Sequence, residues 1–466
     1  MSFKHRLRTF HVVLGGWLSL ILFFVVCAGV ASVFEDDLYV WERPTHRVDY
    51  VQPVTASVLL SVMMGDDKEE ALFIPPRTDR PVWTVRVGDG EAQYVSPSGR
   101  LLPSYPTVGP VRYIRNLHTD LGLSGDLGRI LLGLIGLLAV LLLIVGSLLP
   151  KVWSRVRRDS KKRPAKYRRW DLHRRLGRIV FLPAIFVIGT GTIMVLEQVR
   201  EALSASAPVS HSSLQAPEFM SPGLDAALRD ASELVGPGIV RSVRVKPDSD
   251  TSVLAIVEYR EKAGPLRRDI EIVYDIVLGK RISVYGGGGD MLTRMAVASA
   301  PLHYGQSYGF ITKLPTLGVG LLLACLCALG AVMSFERYWP DRGRRFALAF
   351  LIATPAAMVS LLVLAPFLME ASLSEGAYPW LFLFMSAVTG GVAWCSRRLA
   401  LISLATLIVG ATAAEMLLHP GLRIVWPANL AFGLTGLGLL CLALRYKTAY
   451  LGRLTWQAKM ENRRLF

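Results

Sequence analysis

The chain is 466 residues long, 52% of them hydrophobic, with a net charge of +16 and a mean hydropathy of +0.40. These values, with long uncharged runs, exclude an ordinary soluble protein and indicate a membrane class. They do not indicate nucleic acid, because the Lys and Arg cluster in short loops beside apolar spans and no nucleic-acid-binding motif accompanies them.

In chain order, residues 1–34 form the first span. A basic start, MSFKHRLRTFH, precedes the apolar run Val12 to Phe34, long enough to cross about 30 Å of hydrocarbon. The run exceeds a signal-peptide core, so an uncleaved anchor is expected, its basic end in the cytoplasm. Residues 35–116 are an extracytoplasmic segment that opens acidic at Glu35, Asp36 and Asp37. Within it VWTVRVG and EAQYVSPSGRLL alternate and turn on Pro-Ser-Gly, a hairpin signal. Residues 117–150 are the second span, Leu117 to Arg129 extending its apolar run as a polar first section. Residues 151–172 are strongly basic and expected in the cytoplasm.

Residues 173–197 are the third span. Residues 198–300 are a second extracytoplasmic segment, where LDAALRDASELV reads as an amphipathic helix and RSVRVKP, SVLAIVEYR and RRDIEIVYDIVLGKRISVY as strands. The glycines at 286–289 read as a flexible joint to the membrane. Residues 301–336 are the fourth span, 343–445 a bundle of four more, and 446–466 a cytoplasmic tail. The expected fold is a mainly α, polytopic helical membrane protein of about eight spans with a small α+β extracytoplasmic domain. Both termini are cytoplasmic. Five cysteines, Cys27, Cys325, Cys327, Cys395 and Cys441, lie in or at the edge of apolar runs and read as small buried hydrophobes.

Four of the eight histidines stand beside small residues near the starts of the first four spans. His11 precedes Gly15, His118 precedes Gly122, and His173 precedes Gly177, each by four residues on one helical face. His303 departs: Ser307 holds that spacing, and Gly305 and Gly309 flank it. By alternation His11 and His173 share the cytoplasmic side, and His118 and His303 the outer side. Two imidazoles per membrane face is the ligand set of a bis-histidine b-type haem. A glycine one turn away clears room for a flat porphyrin. C-x-x-C-H is absent, so two haems b without thioether links are expected. Arg174, Arg175 and Arg178 beside the inner pair, and Arg112, Arg115 and Arg129 beside the outer pair, would stabilise propionates; each also fits an interfacial or positive-inside role. A straight helix would put His118 about 18 Å from its apolar core, so a kink, a tilt or intervening aromatics must bring the two sites together.

FHVVLGGW, NLHTDLGLSGDLGR, WDLHRRLGR and PLHYGQSYGF together resemble the PepSY-associated transmembrane family. Within that family they resemble the bacterial inner-membrane ferric-siderophore reductases. EAQYVSPSGRLL and the helix-plus-strands segment ending VYDIVLGKRISV look PepSY-like. The resemblance covers about residues 1–340. It implies a haem oxidoreductase of the bacterial inner membrane that passes electrons outward to a ferric siderophore or other ferric chelate. It carries His11, His118, His173 and His303 over as haem ligands. No G-x-G-x-x-G sits in a strand–turn–helix context, so the electron donor is external: a cytosolic reductase, a reduced flavin or a quinol. A quinol-linked di-haem cytochrome with another acceptor, and a cofactor-free PepSY peptide-binding regulator, remain open. Scarce charge inside the spans argues against a transporter. Glu415 and His419, one turn apart at the end of the seventh span, read as an interfacial pair before Pro420 rather than a metal or quinone site.

Overall fold

The computed structural model describes residues 3–48, 70–77, 80–106, 108–123, 126–149, 164–203, 223–235, 238–249, 252–261, 269–286, 291–304, 310–419, 425 and 427–444. The basic loop at 151–163, most of the glycine joint (287–290), Gly305, Ser307, Gly309 and the tail at 446–466 lie outside them. Among the described residues eight helices are long and apolar enough to cross a membrane. They are α1 (Phe3–Ser32), α4 (Asp126–Leu148), α5 (Ala165–Leu203), α8 (Phe310–Tyr338), α9 (Arg342–Glu370), α10 (Ala377–Cys395), α11 (Arg397–Leu418) and α12 (Pro427–Leu444). The chain is a multi-pass membrane protein with a small antiparallel sheet at one end of the helices.

Four of those helices form a bundle in which α1 packs on α8 and α4, and α5 packs on α4 and α8. That ring puts α1 and α5 at opposite corners. Two shorter helices lie on it: α3 (Pro110–Thr119) against α1, and α7 (Met291–Tyr304) against α5. Exchanging α1, α3 and α4 for α5, α7 and α8 reproduces every one of these packings, so the bundle has an internal two-fold.

The second and fourth spans do not open on their histidines. α3 and α4 are separate helices, as are α7 and α8. α3 stops because Leu121 and Gly122 turn left-handed, at φ 60° and 68°, and the Gly122 N–H bonds back to the Asn116 carbonyl at 3.2 Å. At Gly128 a Cβ would sit 1.9 Å from the Asp120 carbonyl oxygen, so only glycine lets the chain fold this tightly before α4. The break sends α3 back along α1, which brings His118 in among the spans.

Strands from the segments 35–116 and 198–300 build one sheet rather than two modules. Its order is β4-β3-β2-β1-β5-β6-β7-β8. β1 (Ala71–Ile74), β2 (Trp83–Val87), β3 (Gln93–Val95) and β4 (Leu101–Leu102) come from the first segment. β5 (Gly238–Ser249), β6 (Ser252–Glu261), β7 (Asp269–Asp275) and β8 (Lys280–Gly286) come from the second. The seam is antiparallel, with Leu72 opposite Arg244. Helix α6 (Leu224–Val235) lays Leu224, Ala227 and Ala231 on the sheet's apolar face, over Phe73, Val243, Val257 and Ile272. The expected hairpin is present: Ser96 N–H bonds the Arg100 carbonyl at 2.8 Å between β3 and β4.

The last four spans acquire a physical role. Helix α9 packs on α1, α3 and on the short helix α2 (Glu35–Glu42). Trp41, Ile114 and Leu117 are buried with Met358, Leu361, Tyr378 and Phe382 in one core. The Trp41 indole N–H bonds the Leu362 carbonyl at 2.8 Å, which satisfies the one polar group of this buried side chain. Glu42 accepts from the Val111 N–H at 3.0 Å, an anion at the start of α3 that favours the helix dipole. Glu415, with no exposed surface, is held by Arg47, and His419 Nε2 bonds Glu370 at 2.9 Å. The C-terminal bundle thus clamps α2 and α3, the elements that carry His118.

Candidate functional site

Each of the four histidines meets the same surroundings. His118 directs Nδ1 at the Val25 carbonyl of α1, 2.9 Å away. His303 directs Nδ1 at the Val187 carbonyl of α5, also 2.9 Å, with the Thr190 hydroxyl at 3.3 Å. At the end far from the sheet, His11 lies by the backbone of Leu142 and His173 by the backbone of Leu326, and the buried Nδ1 atoms of both rings have no hydrogen-bond partner. An Nδ1–H donated to a carbonyl leaves Nε2 as a free lone pair, the arrangement that orients an imidazole for a metal.

Two of the rings also come together. His118 and His303 lie with ring centres 5.9 Å apart and planes 21° from parallel. His11 is close enough to His173 for the charge of one to be felt by the other, though α1 and α5 occupy opposite corners of the bundle. The sequence pairing of 118 with 303 is therefore a spatial pairing, and His11 and His173 are near enough to interact electrostatically. Burial first, then neighbouring His118, pushes the imidazole of His303 down to about 4. Burial, with Arg115 nearby, lowers His118 too. Both shifts favour the neutral ring, the form that coordinates a metal.

Every imidazole rests on a glycine of a neighbouring helix. A Cβ on Gly29 would lie 2.6 Å from His118 Cε1, on Gly191 2.7 Å from His303 Cε1, and on Gly146 2.9 Å from His11 Cε1. On Gly330 it would lie 3.4 Å from His173 Cε1. Sequence reasoning missed these four, because they are remote from their histidines in the chain. One signal was available: the pairs 11/173, 15/177, 25/187 and 29/191 share a single offset of 162 residues. The glycines chosen by spacing fall elsewhere. Gly15 and Gly177 face Leu142 and Leu326, where a Cβ would make only ordinary contacts at 3.9 and 3.8 Å. Gly122 leaves the helical face of His118, since α3 ends at Thr119, and its role is to turn the chain.

Of the arginines, Arg174 is buried with its guanidinium 4.7 Å from the Trp170 ring centre. Arg178 keeps a buried Nε without a hydrogen-bond partner. Arg115 pairs with Glu35 and Arg129 with Asp126, both at 3.3 Å.

A haem fits this donor set. Among the described residues no group of three or more His, Cys, Asp or Glu could hold a bare ion, whereas a porphyrin brings its own four nitrogens and needs one imidazole per face. Two imidazoles on opposite sides of one metal, at the usual bond length of about 2 Å, have ring centres roughly 6 Å apart. The sheet-end pair stands at that spacing.

The family model for the PepSY-associated TM region matches residues 8–337. The chain belongs to the PepSY-associated transmembrane family. The matched residues include all four histidines, the bundle's two halves and the sheet, and stop short of the C-terminal bundle. No curated protein matches the chain.

Proposed function

We propose that this family member is a haem-containing reductase of the bacterial inner membrane that passes electrons across it to ferric-siderophore iron in the periplasm. The observation that carries the reading is the fourfold repetition of an imidazole beside a backbone group of one neighbouring helix and with its ring on a glycine, twice at each end of the bundle, with Nδ1 bonded to a carbonyl in the His118–His303 pair. His11 with His173, and His118 with His303, would each hold one haem b. Bound haem supplies one-electron exchange at a potential set by its ligands and their surroundings.

The basic flanks of the spans put both termini and the His11–His173 end in the cytoplasm, and the sheet in the periplasm. The chain's own contribution is placement. His11 and the Val25 carbonyl that holds His118 are fourteen residues apart on α1, about 21 Å of helix; His173 and Val187 repeat that spacing on α5. Apolar side chains of α1, α5 and α8, among them Phe23, Val180, Ala184 and Leu323, close the space between the ends against water. Hard oxygen donors hold Fe(III) far better than Fe(II), so reducing the chelate frees its iron. A cytosolic reductase, a reduced flavin or a quinol would serve as donor, and the basic inner loops suit an acidic carrier.

A pyridine haemochrome assay with protein quantitation tests the reading. Two b-type haems per chain are expected, falling to one in His303→Ala. A colourless chain, with no Soret band after expression with adequate haem, overturns it.

A further inference from the structure

Between α2, α3 and the first strands of the sheet lies a cavity of about 230 Å³. Arg43, Arg77, Arg80, Arg86 and Arg112 line it. Against them stand Glu35, Asp36 and Glu42, a surplus of two positive charges. All three acids are already engaged, Glu35 by Arg115, Glu42 by Arg43 and the Val111 N–H, and Asp36, like Arg77 and Arg80, in an interaction of its own. Tyr39 and Tyr94 complete the wall. Arg43 is only 5% exposed. Its guanidinium lies 4.5 Å from the Tyr39 ring centre, and its buried Nε has no hydrogen-bond partner. A buried charged donor without an acceptor is costly, which makes this atom the mark of a missing anion.

The arginines are in an unexpected place. Positive residues gather on the inner side of a membrane protein because that side retains them during insertion, yet these five stand at the sheet end. Arg112 comes from α3, Arg43 caps the end of α2, two come from the turn after β1, where Arg77 and Arg80 bond each other's backbone at 2.7 and 3.0 Å, and Arg86 comes from β2. Guanidinium forks match carboxylate oxygens in pairs. The site also adjoins the outer histidines: Arg112 lines it and His118 is six residues on along α3, about 9 Å of helix.

We propose that this cavity binds a carboxylate-rich arm of an anionic ferric chelate and seats the substrate beside the His118–His303 pair. Its use in electron transfer rests on the function proposed above; the binding does not. The volume suits one small polyanionic arm, at the lower end of ligand pockets, and the remainder of a larger chelate would stay outside.

The test uses the full chain in nanodiscs and gallium(III) citrate, a redox-inert stand-in for ferric citrate, titrated calorimetrically, with haem content measured on the same samples. Saturable binding is expected, weakened about tenfold or more in Arg80→Gln and in Arg86→Gln, as loss of a charge-assisted hydrogen bond predicts. Arg86 is exposed on β2, so its variant should fold. Arg244→Gln, on β5, should bind as wild type. Unchanged binding in both cavity variants, no binding at all, or equal binding of a cationic gallium trihydroxamate would overturn the proposal. A colourless chain that binds gallium citrate through these arginines would sink the haem reading and leave this one standing; a coloured chain that ignores gallium citrate would do the reverse.

Discussion

Replacing Gly191 with alanine sets a methyl carbon 2.7 Å from Cε1 of His303. Carbon atoms in ordinary contact stand about 3.5–4.0 Å apart, so the ring must retreat by nearly 1 Å. It has little room to do so, since its Nδ1 is held by the Val187 carbonyl at 2.9 Å and by Thr190 at 3.3 Å. A retreat of that size breaks the carbonyl bond, a loss of about 1 kcal/mol, and turns Nε2 off its line. Disturbing such an outer partner typically weakens a metal site by about 10–100-fold. The assay is haem stoichiometry and a potentiometric titration on purified Gly191→Ala. The expected outcome is loss or a shifted midpoint of one of two haems, the other unchanged. Gly189→Ala is the control, because a Cβ there meets nothing within 4 Å. If both variants match wild type in haem content and midpoints, the ring does not rest on Gly191 in the working protein and the reasoning fails.

Gly146→Ala, where a Cβ would lie 2.9 Å from His11 Cε1, should produce the complementary defect, sparing the haem that Gly191→Ala disturbs. Arg47→Met leaves Glu415 buried with no exposed surface and without its arginine, only the His419 ring remaining at 3.9 Å; a loss of about 3–5 kcal/mol is expected, read as a lower thermal midpoint, and Arg47→Met with Glu415→Leu should recover most of it. His46 is fully buried between Tyr94 and Tyr105, and burial followed by the nearby charge of Arg43 pushes its imidazole down to about 3. The unfolded chain takes up this proton below about pH 6.5 while the folded chain does not, so stability is full above that pH. It falls by up to roughly 1.4 kcal/mol per unit as the pH drops from there toward 3. His46→Phe should flatten that slope, measured as the difference in thermal midpoint between pH 7 and pH 5; an unchanged slope assigns the acid sensitivity elsewhere.

The spans were legible because each is a long uncharged run, a signal that needs no partner to be read. The histidine pairing was legible for a related reason: alternation of spans assigns each residue to a face. What sequence reasoning lost depends on contacts remote in the chain. Gly29, Gly146, Gly191 and Gly330 matter through helices their own histidines do not occupy. The β1–β5 seam joins residue 72 to residue 244, a choice no local alternation reveals. The break after α3 was written locally, in Leu121, Gly122 and Gly128, but the apolar periodicity on either side invited a single long helix. The C-terminal bundle looked purposeless because its task lies in Trp41, Ile114 and Leu117, hundreds of residues upstream.

The strand seam carries one more consequence. The polypeptide crosses from one half of the molecule to the other between α4 and α5, and the halves are laced a second time where Ala71, Leu72 and Phe73 face Val245, Arg244 and Val243. A single nick between residues 149 and 164 would therefore leave two fragments still zipped together by the strand seam as well as by the packing of α1 on α8 and α4 on α5, with His118 and His303 kept abreast.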